Sequence, residues 1–237
     1  MAKIKVALDD GHGTETPGKR TPLFNDGSFM KENEFNEAVV KITGEFLKKY
    51  DIDVIYVASE KTDVSLKKRV DRANEKNADI YVSVHANAFG DSWNDANGFE
   101  TYIYSFDNSN NVKLAECIHN KCIAATGLKN RGIKAMKDFY VLKYTKMPAV
   151  LLECGFMTNK KEAELLRSYE YRKKVGNAIA EGILQYFAID KEEVLLTIDE
   201  ALNIIQKKCG FDDNTMKYLQ FYKFAESMII RLAEAMI

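Results

Sequence analysis

Two of the three histidines in the chain, His12 and His85, lie at the ends of predicted strands. Strand ends in an open α/β sheet are where ligands and active sites collect. Glu153 closes another predicted strand after four apolar residues, and Glu32 precedes a predicted helix after the loop that begins at His12. Two imidazoles and a carboxylate bind zinc well and leave a fourth position for water. A second carboxylate nearby can move the protons of a hydrolysis.

Each of these residues, taken singly, also has a structural explanation. A lone histidine at a strand end is commonly a hydrogen-bonded structural residue. Glu32 alone could be a favourable charge at a helix N-terminus, and Glu153 alone could pair with a buried Lys or Arg. The spacing leaves these alternatives open.

The elements that would position these side chains alternate between strands and helices. The predicted strands are Lys3–Leu8, Asp53–Ala58, Asp79–His85, Gly98–Tyr104 and Pro148–Glu153, and the predicted helices are Asn33–Tyr50, Leu66–Lys76, Val112–Thr126 and Lys160–Phe187. This order predicts an α/β fold with a mostly parallel twisted sheet and helices on both faces.

A change of character near Ala188 predicts a domain boundary, with residues 1–188 catalytic and residues 189–237 a small helical appendage. Thr197-x-x-Glu200 has the pattern of a capping box, and Gly210 is typical of a helix C-cap. A further helical stretch follows Asp212-Asp213-Asn214 and is rich in large apolar residues from Tyr218 to Leu232. We expect this part to serve in targeting or in self-association through a second copy of the chain; the alternative is that its apolar residues dock on the catalytic part.

The composition excludes several classes of protein. The chain has 237 residues, of which 46% are hydrophobic and 29% charged, so a disordered or low-complexity chain is excluded. The formal net charge of −1 makes nucleic acid an unexpected partner. No stretch has the roughly 20 apolar residues of a membrane-spanning helix. Asp9 and Asp10 follow too soon for a signal peptide, so we expect synthesis in the cytoplasm without an export signal.

Five sequence blocks follow one another between about Ile4 and Phe187. The blocks are Asp10-Gly11-His12-Gly13 with Pro17-Gly18, Glu32-x-x-x-Asn36, Leu66-x-x-Arg69-x-x-x-Ala73-Asn74, Ala78-Asp79-x-x-x-Ser83-x-His85-Ala86-Asn87, and Pro148 to Phe156 followed by Asn159. Together they resemble the zinc-dependent N-acetylmuramoyl-L-alanine amidases of the type 3 family, which cleave bacterial peptidoglycan. Thr14 and Thr16 depart from the Gly and Asp that are usual in the first block. The resemblance also implies a wall component as an alternative partner of residues 189–237.

The resemblance implies a set of roles for individual residues. His12, Glu32 and His85 match the zinc ligands of the family, and Glu153 matches its catalytic carboxylate. Glu34 could compete with Glu32, but the step to Asn36 favours Glu32. The implied reaction is hydrolysis, by zinc-activated water, of the amide bond between N-acetylmuramic acid and the L-alanine of the stem peptide.

The resemblance also bears on where and when the enzyme acts. The segment between Asn87 and Val112 is too short for the plugging helix of some family members, which implies an open site. With no export signal, an open site fits release through a membrane lesion in phage or prophage lysis, or mother-cell lysis.

Two other functions remain as alternatives. A zinc peptidase cutting within the stem peptide would keep the same metal site, whereas a non-catalytic wall-binding module would hold a structural zinc with four protein ligands.

Cys154 next to Glu153 is interpreted as a core thiol rather than a nucleophile, because neighbours in a strand point to opposite faces. Cys117-x-His119-x-x-Cys122 is interpreted as helix packing with an exposed His119.

Overall fold

The computed structural model describes residues 3–60, 62–190, 198–220 and 225–236. The chain divides into two compact units, Met1–Asp190 and Lys191–Ile237. The different roles predicted for residues 1–188 and 189–237 stay predictions. Among the described helices, none is both long enough and apolar enough to cross a membrane.

The first unit is built on a six-stranded sheet with the strand order β2-β1-β3-β6-β4-β5. All neighbouring strands are parallel except β4 and β6, which are antiparallel. The strands are β1 Lys5–Asp10, β2 Asp53–Tyr56, β3 Ile80–Asn87, β4 Phe99–Ile103, β5 Asn130–Ala135 and β6 Ala149–Phe156. The helices are α1 Glu32–Lys48, α2 Leu66–Glu75, α3 Ser109–Thr126, α4 Tyr140–Tyr144, α5 Lys160–Arg167 and α6 Tyr169–Tyr186.

Both faces of this sheet are buried, because successive side chains of a strand point to opposite faces. In β3, Val82 and Val84 pack with residues of α1, α3 and α6 in the larger core. Tyr81 points the other way and packs with residues of α2 and α4. The mostly parallel α/β fold with helices on both faces, predicted from the sequence, is confirmed.

Some element boundaries differ from the prediction. The expected helix Lys160–Phe187 is two helices, because the Ser168 hydroxyl accepts a hydrogen bond from Tyr171 N and caps α6 after α5 ends. β5 and α4 were not predicted from the sequence. β5 carries no strong apolar alternation, and α4, with five residues, is too short to show a helical period.

The second unit contains helices α7 Ile198–Cys209, α8 Asp213–Gln220 and α9 Ala225–Glu234. Gly210 ends α7 in the left-handed conformation, with φ 66°, and its N–H donates to Gln206 O. A small core joins the three helices and consists of Ala201, Leu202, Ile205, Met216, Ile229 and Ala233. Thr197 of the expected capping box and the side chains of residues 218–227 lie outside the described part of the chain.

Candidate active site

The strand register places four polar side chains on one face of the sheet. Asp9 of β1 pairs with Ser83 of β3, and His85 of β3 pairs with Glu153 of β6. The residues between them, such as Leu152, point into the core on the opposite face. His85 and Glu153 lie within their strands and not at the strand ends as predicted, because β3 and β6 continue to Asn87 and Phe156.

His12, Glu32 and His85 converge in space, with their ligand atoms all within 4.8 Å of one another. Glu32 Oε1 lies 3.0 Å from His85 Nδ1, and Glu32 Oε2 lies 3.5 Å from His12 Nε2. Ligands of a tetrahedral zinc ion are roughly 3.3 Å apart, given bond lengths of about 2.0–2.1 Å. The donor types and their separations therefore fit zinc.

The protonation of the donors also suits a cation. Burial lowers the pKa of His12 to about 4, and Glu32 opposes this shift only in part, so the ring is neutral near pH 7. Burial would raise the pKa of Glu32, but the hydrogen bond with His85 and the nearby histidines lower it below its ordinary value. His12 thus keeps a lone pair for a metal and Glu32 keeps its negative charge. His85 differs, because burial would lower its pKa but the hydrogen bond with Glu32 raises it above its ordinary value, so a metal bound there must displace a proton.

Amide side chains of α1 fix the loop that carries His12. Asn36 Nδ2 donates to Gly11 O at 2.8 Å and reaches Glu32 Oε1 at 3.4 Å. Asn33 Nδ2 donates to His12 O at 3.0 Å. Since residues four apart share one face of a helix, the spacing Glu32-x-x-x-Asn36 turns both side chains toward this loop.

Gly11 allows the two histidines to approach each other. A Cβ atom at this position would lie 2.0 Å from His85 Cε1, so any other residue here would force the His85 ring to move. The rings of His12 and His85 lie edge to face with centroids 5.0 Å apart. His12 itself adopts a left-handed backbone, with φ 60°, which is uncommon outside glycine. Glycine at position 11 is therefore a requirement of the site and not only of the turn.

Glu153 faces the same space as the histidines. Its Oε2 atom is buried and has no hydrogen-bond partner among the described residues. Burial, together with the negative charges of Glu32 and Glu100, raises the pKa of Glu153 to about 8, against the opposing effect of His85. A bound cation would lower this pKa toward neutrality, which is the range in which a general base works best.

Glu100 of β4 lies directly opposite Glu153 in the antiparallel pair. Its carboxylate accepts hydrogen bonds from Arg131 Nε at 2.7 Å, Lys134 Nζ at 2.5 Å and Tyr102 Oη at 2.7 Å. Burial would raise the pKa of Glu100, but these donors lower it to about 2. Glu100 therefore stays ionised near neutral pH, whereas the pKa of Glu153 allows it to take up and release a proton there.

A cavity of about 380 Å³ opens above this cluster. His12, His85 and Glu153 contribute polar atoms to it, and Lys19 contributes an exposed ammonium group. The remaining wall is largely apolar and includes Val64, Leu66, Phe139, Tyr140, Val141 and Leu151. The cavity can thus receive a substrate that carries both apolar and anionic groups.

Glu34, Cys154 and His119 are further residues whose roles were interpreted from the sequence. Glu34 Oε1 accepts a hydrogen bond from Lys31 N at 3.0 Å, so this carboxylate caps α1 and faces away from the histidines. Cys154 is buried in the core opposite Glu153. The expectation of an exposed His119 is wrong, because its ring is buried between Thr101 Oγ1 at 3.0 Å and Asn130 Oδ1 at 2.9 Å.

Lys19, Arg69 and Asp9, which directly precedes the first block, were given no role from the sequence. Lys19 follows the Pro17-Gly18 turn, and Gly18 has a φ of 73° that bends the loop back toward the site. Arg69 lies in the third block, four residues before Ala73 and so on the same face of the predicted helix. An arginine on a face that packs inward needs a carboxylate partner, and this spacing was the available signal.

Comparison with known proteins gives consistent matches over the first unit. The family profile for N-acetylmuramoyl-L-alanine amidase, Amidase_3, matches residues 6–185. The N-acetylmuramoyl-L-alanine amidase LytC of Bacillus subtilis (strain 168) is 35% identical over 183 residues, which are 77% of this chain and 35% of LytC. The endolysin of Bacillus phage SPP1 is 35% identical over 198 residues, covering 81% of this chain and 69% of the endolysin.

A solved structure shows the same relationship. The catalytic domain of CwlV, an N-acetylmuramoyl-L-alanine amidase from Bacillus (Paenibacillus) polymyxa var. colistinus, superposes with a TM-score of 0.71 at 34% identity. The match covers 79% of this chain and 99% of the CwlV domain. These matches confirm the resemblance that the five sequence blocks indicated. The chain belongs to the N-acetylmuramoyl-L-alanine amidase family of peptidoglycan hydrolases.

Proposed function

We propose that the protein hydrolyses the amide bond between the lactyl group of N-acetylmuramic acid and L-alanine with a zinc ion held by His12, Glu32 and His85. One observation carries this proposal: the three donors lie within 4.8 Å of one another, and two of them, His12 and His85, line one cavity together with Glu153, whose Oε2 has no hydrogen-bond partner among the described residues. Three protein ligands and an open position are typical of a catalytic zinc, whereas a structural zinc has four.

When bound, zinc would polarise the scissile carbonyl and make a water molecule more acidic. The protein supplies the proton transfers. Glu153 accepts the proton of the attacking water at its carboxylate and then delivers it to the nitrogen of the leaving alanine. Because a carboxylate can perform both transfers, the reaction needs no covalent intermediate, which agrees with the burial of Cys154 on the other face of the sheet.

The cavity favours a substrate of mixed character. The apolar wall suits the alanine methyl group, and Lys19 forms no ion pair with the described side chains, so its ammonium is free for a carboxylate of the stem peptide. The segment between Asn87 and Val112, in which some family members carry a plugging helix, is taken up by short loops and β4 before α3 begins at Ser109, which supports an open site.

We infer that control of the enzyme comes from its access to the wall. Related proteins include the SPP1 endolysin and the sporulation-specific N-acetylmuramoyl-L-alanine amidase of Bacillus subtilis (strain 168), which is 29% identical over 190 residues. These relatives support action after release, in phage or prophage lysis or in mother-cell lysis. Peptidoglycan is the expected partner in either setting.

The test is digestion of purified cell walls with the protein, with and without a chelator, followed by mass spectrometry of the new termini. We expect a free muramic lactyl carboxyl and an N-terminal alanine, with activity lost on chelation and restored by Zn²⁺. His12→Ala and His85→Ala should lose both metal and wall hydrolysis.

The other functions give different products. New termini inside the stem peptide would identify a peptidase, and binding of walls without new termini would identify a non-catalytic module. A His85→Ala protein that held stoichiometric zinc with unchanged affinity would show that the ligand assignment is wrong.

A further inference from the structure

We propose that Asp9 and Ser83, supported by Arg69, are positioning residues that hold the proton of His85 on Nε2 and so present the lone pair of Nδ1 to the metal. This inference rests on the proposed role of His85 as a ligand. Asp9 and Arg69 line part of the cavity wall, but they reach the His85 ring only through Ser83, so all three residues act through His85.

A continuous chain of buried contacts leads from Arg69 to the His85 ring. Arg69 Nη1 donates to Asp9 Oδ1 at 2.6 Å, and the Ser83 hydroxyl lies 2.6 Å from Asp9 Oδ2. Ser83 Oγ lies 3.1 Å from His85 Nε2. Asp9, Ser83 and Arg69 are each at most 2% exposed, so water does not compete for these contacts.

The sheet itself aligns this chain. Asp9 and Ser83 are direct partners in the parallel pairing of β1 with β3, and Ser83 and His85 are two residues apart on the same face of β3. Arg69 enters from α2 on that face and is fixed by hydrogen bonds to Val64 O at 2.8 Å and Asp10 O at 2.7 Å. The geometry is thus set by the backbone and not by flexible surface groups.

The chemistry of each group fixes the direction of each hydrogen bond. The two oxygens of the Asp9 carboxylate both accept, Oδ1 from Arg69 and Oδ2 from the Ser83 hydroxyl, so Ser83 spends its proton on Asp9. The Ser83 oxygen is then left as an acceptor, and the group facing it must be an Nε2–H of His85. The other ring nitrogen, Nδ1, lies 3.0 Å from Glu32 Oε1, so a proton on Nδ1 would donate to Glu32, and this is the proton that a metal held by Glu32 and His85 would displace.

Replacing Asp9 by Asn should reverse the directions of the hydrogen bonds from His85 to Ser83 and from Ser83 to residue 9. The carbonyl oxygen of the new amide would face Arg69, since an NH₂ group there would meet the guanidinium donors. The NH₂ group would then donate to Ser83, whose hydroxyl would have to donate to His85 Nε2. The proton of a neutral ring would move to Nδ1, which is the nitrogen that we assign to the metal.

The experiment compares full-length wild-type protein, Asp9→Asn, Ser83→Ala and the control Thr43→Val. Thr43 is a buried hydroxyl whose Oγ1 donates to Gly176 O at 3.1 Å, away from the candidate site. Zn²⁺ affinity is measured by competition with a chromophoric chelator, and the His85 tautomer is read from imidazole ¹⁵N shifts of the zinc-loaded wild type.

We expect Ser83→Ala to weaken Zn²⁺ binding roughly 10- to 100-fold, as for other partners of metal-bound histidines, and Asp9→Asn to weaken it at least as much. Thr43→Val should bind Zn²⁺ like the wild type. His85 in the zinc-loaded wild type should carry its proton on Nε2.

Two results would overturn the inference: an Nδ1-protonated His85 in the zinc-loaded wild type, or folded Ser83→Ala and Asp9→Asn proteins with wild-type Zn²⁺ affinity. The tautomer measurement uses the wild type alone, so it tests the inference even if a variant fails to fold. If His85→Ala loses zinc while Ser83→Ala keeps it, this inference fails and the proposed function stands. If His85→Ala keeps zinc, the proposed metal site fails first.

Discussion

At the scale of single residues, Glu153 allows metal binding and turnover to be separated. Glu153→Gln keeps the size of the side chain and removes its ability to accept a proton. We expect the variant to fold and to bind Zn²⁺ normally, while turnover of soluble wall fragments falls roughly 10²- to 10⁴-fold, because a positioned acid–base group contributes about that much. Metal content by atomic absorption and turnover on the same sample test this. Undiminished hydrolysis by the folded variant would remove Glu153 from the mechanism.

Lys19 provides a test of substrate recognition. Two muramyl peptides that differ only in a free carboxylate or a carboxamide on the residue after alanine are compared as substrates. We expect the wild type to prefer the carboxylate in kcat/KM by roughly 3- to 10-fold, the range of a partly exposed charge pair, and Lys19→Met to lose this preference.

The matched control for this comparison is Lys143→Met, since Lys143 is exposed and does not line the cavity. It should keep the wild-type preference. Equal use of both substrates by the wild type would exclude Lys19 as a carboxylate contact.

The residues with candidate chemistry were visible in the sequence, but their surroundings were not. His12, Glu32, His85 and Glu153 could be selected because few residue types do this chemistry and the motifs fix their order. The contacts that orient these side chains depend on which residues pair between neighbouring strands. The pairing of Asp9 with Ser83 is an example, and no local sequence pattern encodes it. Similarly, the clash that Gly11 avoids depends on where the His85 ring lies in space.

At the scale of elements, the β4–β5 edge of the sheet is held by the buried carboxylate of Glu100. Its pKa is lowered from 4.5 to about 2, so the ionised form stabilises the fold above pH 4.5, and this stability is lost as the pH falls toward 2. We expect Glu100→Gln to reduce the free energy of unfolding by about 2 kcal/mol at pH 7, less than the full pKa shift implies because Arg131 and Lys134 are partly exposed.

Urea unfolding at pH 7, 5 and 3 tests this prediction, and the difference between wild type and variant should shrink at the lowest pH. Glu45→Gln is the control, because Glu45 pairs with Lys48 on the exposed surface of α1 and should give no measurable change. A difference that stayed constant down to pH 3 would show that the charge of Glu100 does not contribute.

The elements that the sequence failed to predict lie where local pattern is weakest. β5 is stabilised by pairing with β4 and by the contacts of Arg131 and Lys134 with Glu100, which are tertiary interactions. The prediction of a single helix over Lys160–Phe187 was wrong. A serine in a sequence with helical spacing of apolar residues can either continue the helix or cap a new one. Here Tyr171 N donates a hydrogen bond to the Ser168 hydroxyl, which caps α6.

At the scale of the whole molecule, the amidase family accounts for residues 6–185, and the second unit lies beyond this match. That unit has its own small core, and Phe211, Met228 and Leu232 are 39%, 40% and 38% exposed. A core of this size is marginal by itself, so an apolar surface here is expected to meet a partner. We therefore propose that the second unit serves in self-association or in attachment to the wall, and that it contributes no catalytic residue.

A shortened chain of residues 1–190 tests this proposal against the full chain. The shortened chain retains the entire sheet, the metal ligands and the two cores of the first unit, so we expect it to fold and to hydrolyse soluble wall fragments at the full-length rate. It should lose binding to intact walls, or self-association, or both, as measured by wall pull-down and by mass in solution. If the shortened chain folded but lost turnover on soluble fragments, the second unit would belong to the active site. If wall binding and mass per chain were unchanged, the second unit would have neither proposed role.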